Sequence, residues 1–334
     1  MQLHVLVNPR NPTGLKNRID PFAVHAYKYI KHLSPHFKIY HYGVEGAEVD
    51  CEHINVPPIT ENGDTMQFNH VAGKEIQKRK NSNDIIISFF GIDNKFACEM
   101  NADCDVVEPS IGYRASGVFA PYRVFTSYAN MHFFYGERGM LMNPSWFDAV
   151  IGNPFTVSEF DYSDQKEDYF VYLGRVQEEK GIHLAIQATE KMGKKLVIAG
   201  PASDLRHLGY DSVPNHVELI GYVDAEKRKR ILKNAKALLG LTYYIEPFGN
   251  MIIEANLSGT PVITTDWGAF PEIVLEGQTG YRVRDFKSLC NAIENVEKIN
   301  PLNCRNWGLN FSDEEIHHKH KLYLDKVIRK SFYD

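Results

Sequence analysis

A chain of 334 residues that is 43% hydrophobic, 24% charged and 12% aromatic has the balance of a globular protein, which excludes a mainly disordered or fibrous reading and favours two cores over one. The formal net charge of −5 is spread evenly, with 14 Lys/Arg against 16 Asp/Glu over residues 1–151, so neither part is a basic module built to neutralise many nucleic-acid phosphates. Five cysteines, at 51, 98, 104, 290 and 304, are too scattered for a disulfide scaffold, the start MQLHVLVNPRNP lacks a signal peptide's apolar core, and no run approaches the roughly 18 apolar residues of a spanning helix. The expected setting is a reducing cytoplasm.

Along the chain, short β-branched or apolar runs closed by turn residues alternate with polar stretches long enough for helices. The runs fall at 3–7, 38–42, 84–90, 105–107 and 149–151, then at 169–173, 195–199, 217–220, 237–241, 261–264 and 280–283. Such alternation predicts parallel α/β sheets with right-handed crossovers, here as two sets in tandem. Gly152-Asn153-Pro154-Phe155 and the acidic stretch 158–168 read as the hinge between them. The segment 312–329 begins with Ser312 and Glu315, a capping pair, and places Ile316, Leu322, Leu324, Val327 and Ile328 at mostly helical spacing, so it is expected to be a C-terminal helix.

The richest segment is Tyr243-Tyr244-Ile245-Glu246-Pro247-Phe248-Gly249-Asn250-Met251-Ile252-Ile253-Glu254-Ala255, which follows an expected strand. Pro247, Gly249 and Asn250 suit a tight turn into a helix whose free N–H groups could meet a phosphate. Glu246 on the loop and Glu254 in the helix could bracket a nucleotide sugar, although each alone also fits a helix-start acid or a surface residue. A second strand-to-helix segment, Leu173-Gly174-Arg175-Val176-Gln177-Glu178-Glu179-Lys180-Gly181, offers Arg175 and Lys180 as fixed positive charge for a diphosphate, or as solvated side chains.

Together these segments resemble, in order from about 149 to 330, the donor half of retaining glycosyltransferases of family 4, which have the GT-B fold. The resemblance runs through Val150-Ile151-Gly152-Asn153-Pro154-Phe155, Gly174-Arg175, Glu179-Lys180-Gly181, Ile198-Ala199-Gly200-Pro201, Leu219-Ile220-Gly221-Tyr222 and the E-x7-E pair Glu246 and Glu254. It closes with Gly259-Thr260-Pro261-Val262-Ile263, Gly268-Ala269-Phe270-Pro271-Glu272-Ile273-Val274 and Gly277-Gln278-Thr279-Gly280. It implies two Rossmann-like, doubly wound parallel-sheet domains facing a cleft. Residues 1–151 would bind the acceptor and 152–311 the nucleotide-sugar donor, with 312–334 crossing back to the first domain. Arg175 and Lys180 would hold the diphosphate, aided by the N–H groups of Gly249, Asn250 and Met251; Glu246 would hold the transferred sugar and Glu254 the ribose; and the base would lie along Gly221, Tyr222 and Val223. Gly14, Gly200 and Phe248 complete the implied donor site. No metal or other cofactor is implied, because the cations and the helix start would supply the positive potential.

The first half offers Val106-Val107-Glu108-Pro109-Ser110-Ile111-Gly112-Tyr113-Arg114, a strand that breaks where members of this family often carry a His that aids transfer. That His is missing here, so Glu108, Ser110 and Tyr113 are acceptor-side candidates, with His132 as its replacement or as an ordinary helix residue. The loop after the first strand adds Arg10, Lys16 and Arg18 beside Gly14. This half also resembles uncharacterised glycosyltransferase-like proteins of tailed phages and large DNA viruses, which would place the reaction in a host cytoplasm.

The activity implied is transfer of a sugar from a nucleoside diphosphate sugar, UDP-sugar ahead of GDP-sugar, to a glycan or small acceptor. Other readings are transfer to hydroxymethylated bases of viral DNA, with Arg10, Lys16 and Arg18 or Lys78-Arg79-Lys80 touching phosphate, a sugar-nucleotide epimerase, or a non-catalytic nucleotide-sugar binder. Three features are expected to be bland. Asp103-Cys104-Asp105 precedes a buried strand, Glu226-Lys227-Arg228-Lys229-Arg230 is a solvated helix face, and His317 with His320 supplies at most two metal ligands where a structural Zn²⁺ site wants four.

Overall fold

The computed structural model describes residues 1–15, 20–59, 63–140, 142 and 144–331. The chain divides into two compact units, one formed by Met1–Thr126, Met131–Pro154 and Asp313–Asp334, the other by Ser127–Asn130 and Phe155–Ser312. The division therefore runs a few residues beyond Ile151, and a short internal piece joins the second unit.

In the first unit the order is β1 (Gln2–Leu6), α1 (Pro21–Leu33), β2 (Lys38–Gly43), β3 (Glu52–Asn55), α2 (Met66–Arg79), β4 (Ile85–Ser88), α3 (Lys95–Glu99), β5 (Asp105–Ile111), β6 (Tyr122–Phe125), α4 (Tyr128–Glu137), whose first three residues group with the second unit, and β7 (Ala149–Val150). All pairings are parallel, in the order β3-β2-β1-β4-β5-β6-β7. Helices start where the chemistry asks for them: Asp20 caps α1 by accepting from the N–H groups of Phe22 and Ala23, and Pro21 opens the first turn.

Two strands escape the sequence pattern. β3 buries only Ile54 because it is an edge strand, and β6 carries Arg123, whose charge is met by Asp148 at 2.7 Å and whose guanidinium lies 4.9 Å from the Phe134 ring centroid. A lone apolar residue in one run and a cation in the other leave no period-two signal.

The second unit contains β8 (Tyr169–Leu173), α5 (Ile182–Lys191), β9 (Lys195–Ala199), β10 (Val217–Gly221), α6 (Ala225–Asn234), β11 (Ala237–Gly240), α7 (Asn250–Leu257), β12 (Val262–Thr265), α8 (Phe270–Ile273), β13 (Gly280–Val283), α9 (Phe286–Asn295) and α10 (Pro301–Gly308). The strand order is β10-β9-β8-β11-β12-β13, again all parallel. Alternation along the strands feeds a core on each face. Phe170, Tyr172, Leu196, Ile198 and Leu239 pack against Ile182, Ala185 and Leu289, while Tyr169, Val171, Val197 and Leu238 pack against Leu232, Ile252 and Ile253.

The last helix, α11 (Asp313–Arg329), belongs to the first unit and packs on α1. Its buried face is Asp313, Ile316, His317, His320, Tyr323, Leu324 and Val327. Leu322 and Ile328, expected on that face, are 48% and 37% exposed, because steps of about 100° carry them off the stripe that positions 316, 320, 324 and 327 define. Tyr323 Oη donates to Phe147 O at 2.8 Å, and Lys330 pairs with Asp105, anchoring the helix end. Asp103 pairs with Lys80, so the Asp103–Asp105 acids are taken up by lysines.

Candidate functional site

In the second unit the strand order reverses at β8, which lies between β9 and β11. The helix after β8 joins the core on one face, whereas that after β11 joins the core on the other. A crevice therefore opens beyond the carboxyl ends of β8 and β11, the position where open α/β sheets hold ligands. The loops that frame it are 174–181 and 241–249.

These loops are stitched together by main chain. Tyr243 N donates to Glu179 O at 2.8 Å, and Gly174 N donates to Ala199 O at 3.0 Å. Gly200 and Gly181 allow the approach, since a Cβ on Gly200 would lie 2.0 Å from Gly174 O and one on Gly181 would lie 1.9 Å from Leu241 O. Gly181 also takes φ +74°, the left-handed conformation that glycine tolerates. The Tyr172 hydroxyl donates to Arg175 O at 2.5 Å.

The crevice holds an ion pair: Lys180 Nζ lies 2.6 Å from Glu246 Oε2, and their side chains are only 14% and 12% exposed. Thr242 Oγ1 lies 3.4 Å from the same carboxylate oxygen, and Lys180 Nζ sits 4.7 Å from the Tyr244 ring centroid. The Glu246 main chain is also clasped, with Ala269 N donating to Glu246 O at 3.0 Å and a Cβ on Gly268 falling 2.6 Å from Glu246 N. Arg175 stands exposed on the first loop and makes no ion pair among the described residues. Gly249, at φ +87°, begins α7 without a side-chain cap, and Asn250 and Met251 form its first turn. Lys180, Arg175 and this helix start are the positive features of the crevice.

Glu254 is not an ordinary surface residue. Arg228 Nη1 donates to its Oε1 at 3.2 Å while the guanidinium lies 5.8 Å from the Phe160 ring centroid, so one member of the basic run 226–230 leaves the solvated face expected for it. Tyr222 is 71% exposed, and Val223 is half-buried against the unit's core. Phe248 is buried, stacked on Phe155 and edge-on to Phe311, so its side chain supports the turn from beneath. Thr242, Tyr244 and Arg228, which touch Glu246, Lys180 and Glu254, are further candidates that the sequence reading does not single out. The Tyr243-Tyr244 pair flanking Glu246 is the available signal for Tyr244; Arg228 carries none, because its partner is 26 positions away.

In the first unit two of the acceptor-side candidates, Glu108 and Tyr113, are bonded to each other. Glu108 is fully buried and accepts from Tyr113 Oη at 2.6 Å, Phe119 N at 3.0 Å and Ala120 N at 2.8 Å. Burial pushes its carboxyl upward while these bonds pull it back. It is a structural bracket for the bulge that follows, buried with three donors on its oxygens, where the sequence reading has it as a contact for an acceptor. Ser110 sits in that bulge at φ +55°, a left-handed conformation rare outside glycine, and Tyr113 is committed to Glu108. Glu108→Ala should cost about 3–5 kcal/mol by stranding two N–H groups and a phenol, read from denaturant unfolding; a loss below about 1 kcal/mol would show that water satisfies them.

Gly14 is buried, and a Cβ there would meet Glu48 Oε2 at 3.0 Å. Arg10 is exposed, its N–H bonded to Asn8 Oδ1. Lys16 and Arg18 lie outside the described residues. His132 is exposed on α4, 6.4 Å from the Tyr135 ring. Lys78 and Arg79 pair with Glu75, and Lys80 with Asp103, so the basic trio 78–80 is balanced locally.

Glu272 accepts from Tyr128 N at 2.8 Å and Ala129 N at 2.7 Å, and Ser127 Oγ donates to Pro247 O at 2.7 Å. These bonds explain why Ser127–Asn130 groups with the second unit.

Fold and site define the class: two Rossmann-like parallel sheets of the GT-B type, the second with its charged crevice at the switch point. Residues 158–310 match the family Glycosyl transferases group 1. The chain is similar to glycogen synthase of Mycobacterium tuberculosis, 33% identical over 138 residues that cover 38% of this chain and 33% of that protein. It is similar also to the O-antigen chain mannosyltransferase RfbU of Salmonella typhimurium, 29% identical over 158 residues covering 45% and 44%. The first of these matches thus spans about a third of the relative's length.

Among solved structures, AviGT4, a glycosyltransferase involved in avilamycin A biosynthesis, superposes with a TM-score of 0.71 at 17% identity over 99% of both chains. Anabaena HepE in complex with UDP and glucose gives 0.72 at 15% identity over 97% of this chain and 99% of that one. At these identities the likeness establishes the fold. Among the described residues no helix is long and apolar enough to cross a membrane.

Proposed function

We propose that the protein is a retaining glycosyltransferase of family 4 that moves a sugar from a nucleoside diphosphate sugar to a hydroxyl of a glycan or small acceptor in the cytoplasm. The observation that carries this reading is the Lys180–Glu246 pair, 2.6 Å apart in the crevice beside the start of α7. The ammonium neutralises Glu246 in the free protein, and with donor bound it would serve a phosphate oxygen as well. Arg175, which has no ion pair to give up among the described residues, and the N–H groups at the start of α7 would share the diphosphate charge. Glu246 would accept from hydroxyls of the transferred sugar. Glu254, held by Arg228, would accept from the ribose.

In the step proposed, the bond between the anomeric carbon and the diphosphate oxygen breaks as the acceptor oxygen attacks from the same face. The acceptor's proton passes to the departing phosphate oxygen. Positioning and stabilisation of the leaving group account for the rate, with no metal needed at the diphosphate. UDP is the first nucleotide to try, supported by the UDP and UDP-glucose complexes of HepE.

The test is calorimetry in EDTA with UDP, GDP and ADP on wild type and Glu254→Ala. One nucleotide, UDP, should bind, and the variant should lose about tenfold or more in affinity, as for a charge-assisted hydrogen-bond acceptor removed from a nucleotide. If no nucleotide binds wild type, the reading is wrong. If binding survives Glu254→Ala unchanged, the ribose assignment is wrong.

A further inference from the structure

The face of α11 that packs on α1 is unusual for a helix docking site, because imidazoles stand where aliphatic side chains would be expected. His317 and His320 are 3% and 2% exposed and lie around Tyr29, at ring separations of 6.2 and 5.3 Å. From α1, the His32 ring stacks on His317 with centroids 4.6 Å apart and planes within 1°. Asp313, one turn before His317 and therefore on the same helix face, is also buried. Buried imidazoles and a buried carboxylate contribute less to docking than apolar residues of their size, so their convergence asks for a ligand that uses them.

We propose that His32, Asp313 and His317 form a binding site for a borderline divalent transition-metal ion, Zn²⁺ foremost, which clamps the C-terminal helix onto α1. One ligand atom from each residue lies within 4.8 Å of the others. In a tetrahedral site with bonds of about 2.0–2.1 Å, neighbouring ligand atoms stand roughly 3.3 Å apart. An imidazole lone pair lies in its ring plane, so the half-buried His32 ring must turn out of its stack on His317 as the set closes by about 1.5 Å. Two imidazoles and one carboxylate match Zn²⁺, Co²⁺ or Ni²⁺ and disfavour Mg²⁺ and Ca²⁺, which want an oxygen shell. The fourth position falls to water, reached past the half-buried His32.

Two details prepare the site. His317 Nδ1 is bonded to Asp313 O at 2.6 Å; as the donor there, it leaves Nε2 with the lone pair, the usual arrangement of a metal-bound imidazole. Lys28 Nζ lies 3.2 Å from Asp313 Oδ1 and donates to Pro154 O at 3.3 Å. It orients the carboxylate in the free protein and keeps the carbonyl as partner when the cation arrives. The sequence alone offers His317 and His320 on one helix; the further groups come from α1 and from the helix start.

The experiment uses untagged full-length protein stripped with EDTA, dialysed free of chelator and titrated with Zn²⁺ by calorimetry, and with Co²⁺ followed by visible absorption. Wild type should take up one Zn²⁺, show the intense visible bands of four-coordinate Co²⁺, and unfold at higher temperature with Zn²⁺ than without. His32→Ala, at the half-buried edge, should keep the fold, lose about tenfold or more in affinity and lose the thermal shift. Asp313→Asn should behave likewise, whereas His318→Ala, exposed on the same helix, should match wild type. Failure of wild type to bind Zn²⁺, or equal affinity in wild type and His32→Ala, overturns the proposal. None of these readouts depends on transferase activity.

Discussion

Lys180→Ala should lower kcat by about 10²–10³-fold while leaving the protein folded, the usual cost of removing one preorganised charge from a leaving-group site. Lys180 stands on a short turn, Glu178–Lys180, and contributes no side chain to either core of its unit. The variant's direct structural cost is the Glu246 carboxylate, left with Thr242 at 3.4 Å. That carboxylate lines a solvent-reached crevice, so the destabilisation should stay near about 1–2 kcal/mol, below the figure for a fully buried pair. Glu246→Gln separates the two roles. It keeps the shape, removes the charge that Lys180 neutralises, and should weaken sugar-bearing donor more than free nucleoside diphosphate. Steady-state kinetics with UDP-glucose as the first donor tried, hydrolysis included, gives kcat, and far-ultraviolet circular dichroism checks the fold. A Lys180→Ala enzyme within about threefold of wild-type kcat would remove the lysine from the leaving-group site.

Gly181→Ala should destabilise the second unit by about 3–5 kcal/mol, since two penalties coincide. The residue sits at φ +74°, and a Cβ would fall 1.9 Å from Leu241 O, with the Leu241 carbonyl carbon at 2.6 Å. Neither atom belongs to a flexible side chain, so the loop that carries Lys180 or the end of β11 must move. For a unit of this size the expected fall in its melting temperature is about 6–20 °C. Gly193 is the matched control: φ is +61° but a Cβ there would find nothing within 4 Å, so Gly193→Ala should cost only about 1–2 kcal/mol. Equal melting temperatures for the two variants would mean that left-handed strain alone matters at 181. A Gly181→Ala protein that survives should also lose activity, because the displaced loop carries both Lys180 and Arg175.

Much of the second unit is legible in the sequence. The runs at 169–173, 195–199 and 280–283 match the observed β8, β9 and β13, because each is a β-branched or aromatic run bounded by turn residues. The two loops of the crevice are legible for the same local reason, each following a strand and ending at a glycine, Gly181 or Gly249, that takes the left-handed conformation. The first unit is harder to read. β3 and β6 escape the pattern, and Glu108 reads as an acceptor contact because a carboxylate near a strand break looks the same whether it faces solvent or three buried donors.

Local pattern therefore determined the α/β alternation, the tandem arrangement, the glycine-dependent turns and the presence of a terminal helix. Periodicity and turn chemistry act within a few residues, and they are written in the chain. Only the tertiary structure decided which polar groups meet. It joined Lys180 to Glu246 across 66 positions, Arg228 to Glu254 across 26, and seated Phe248 in the core. It also brought His32 against His317, and it spent Glu108 on its neighbours' N–H groups. A buried charge or imidazole is tolerated only with a partner, and the identity of that partner is a property of packing between distant segments, which no local pattern encodes.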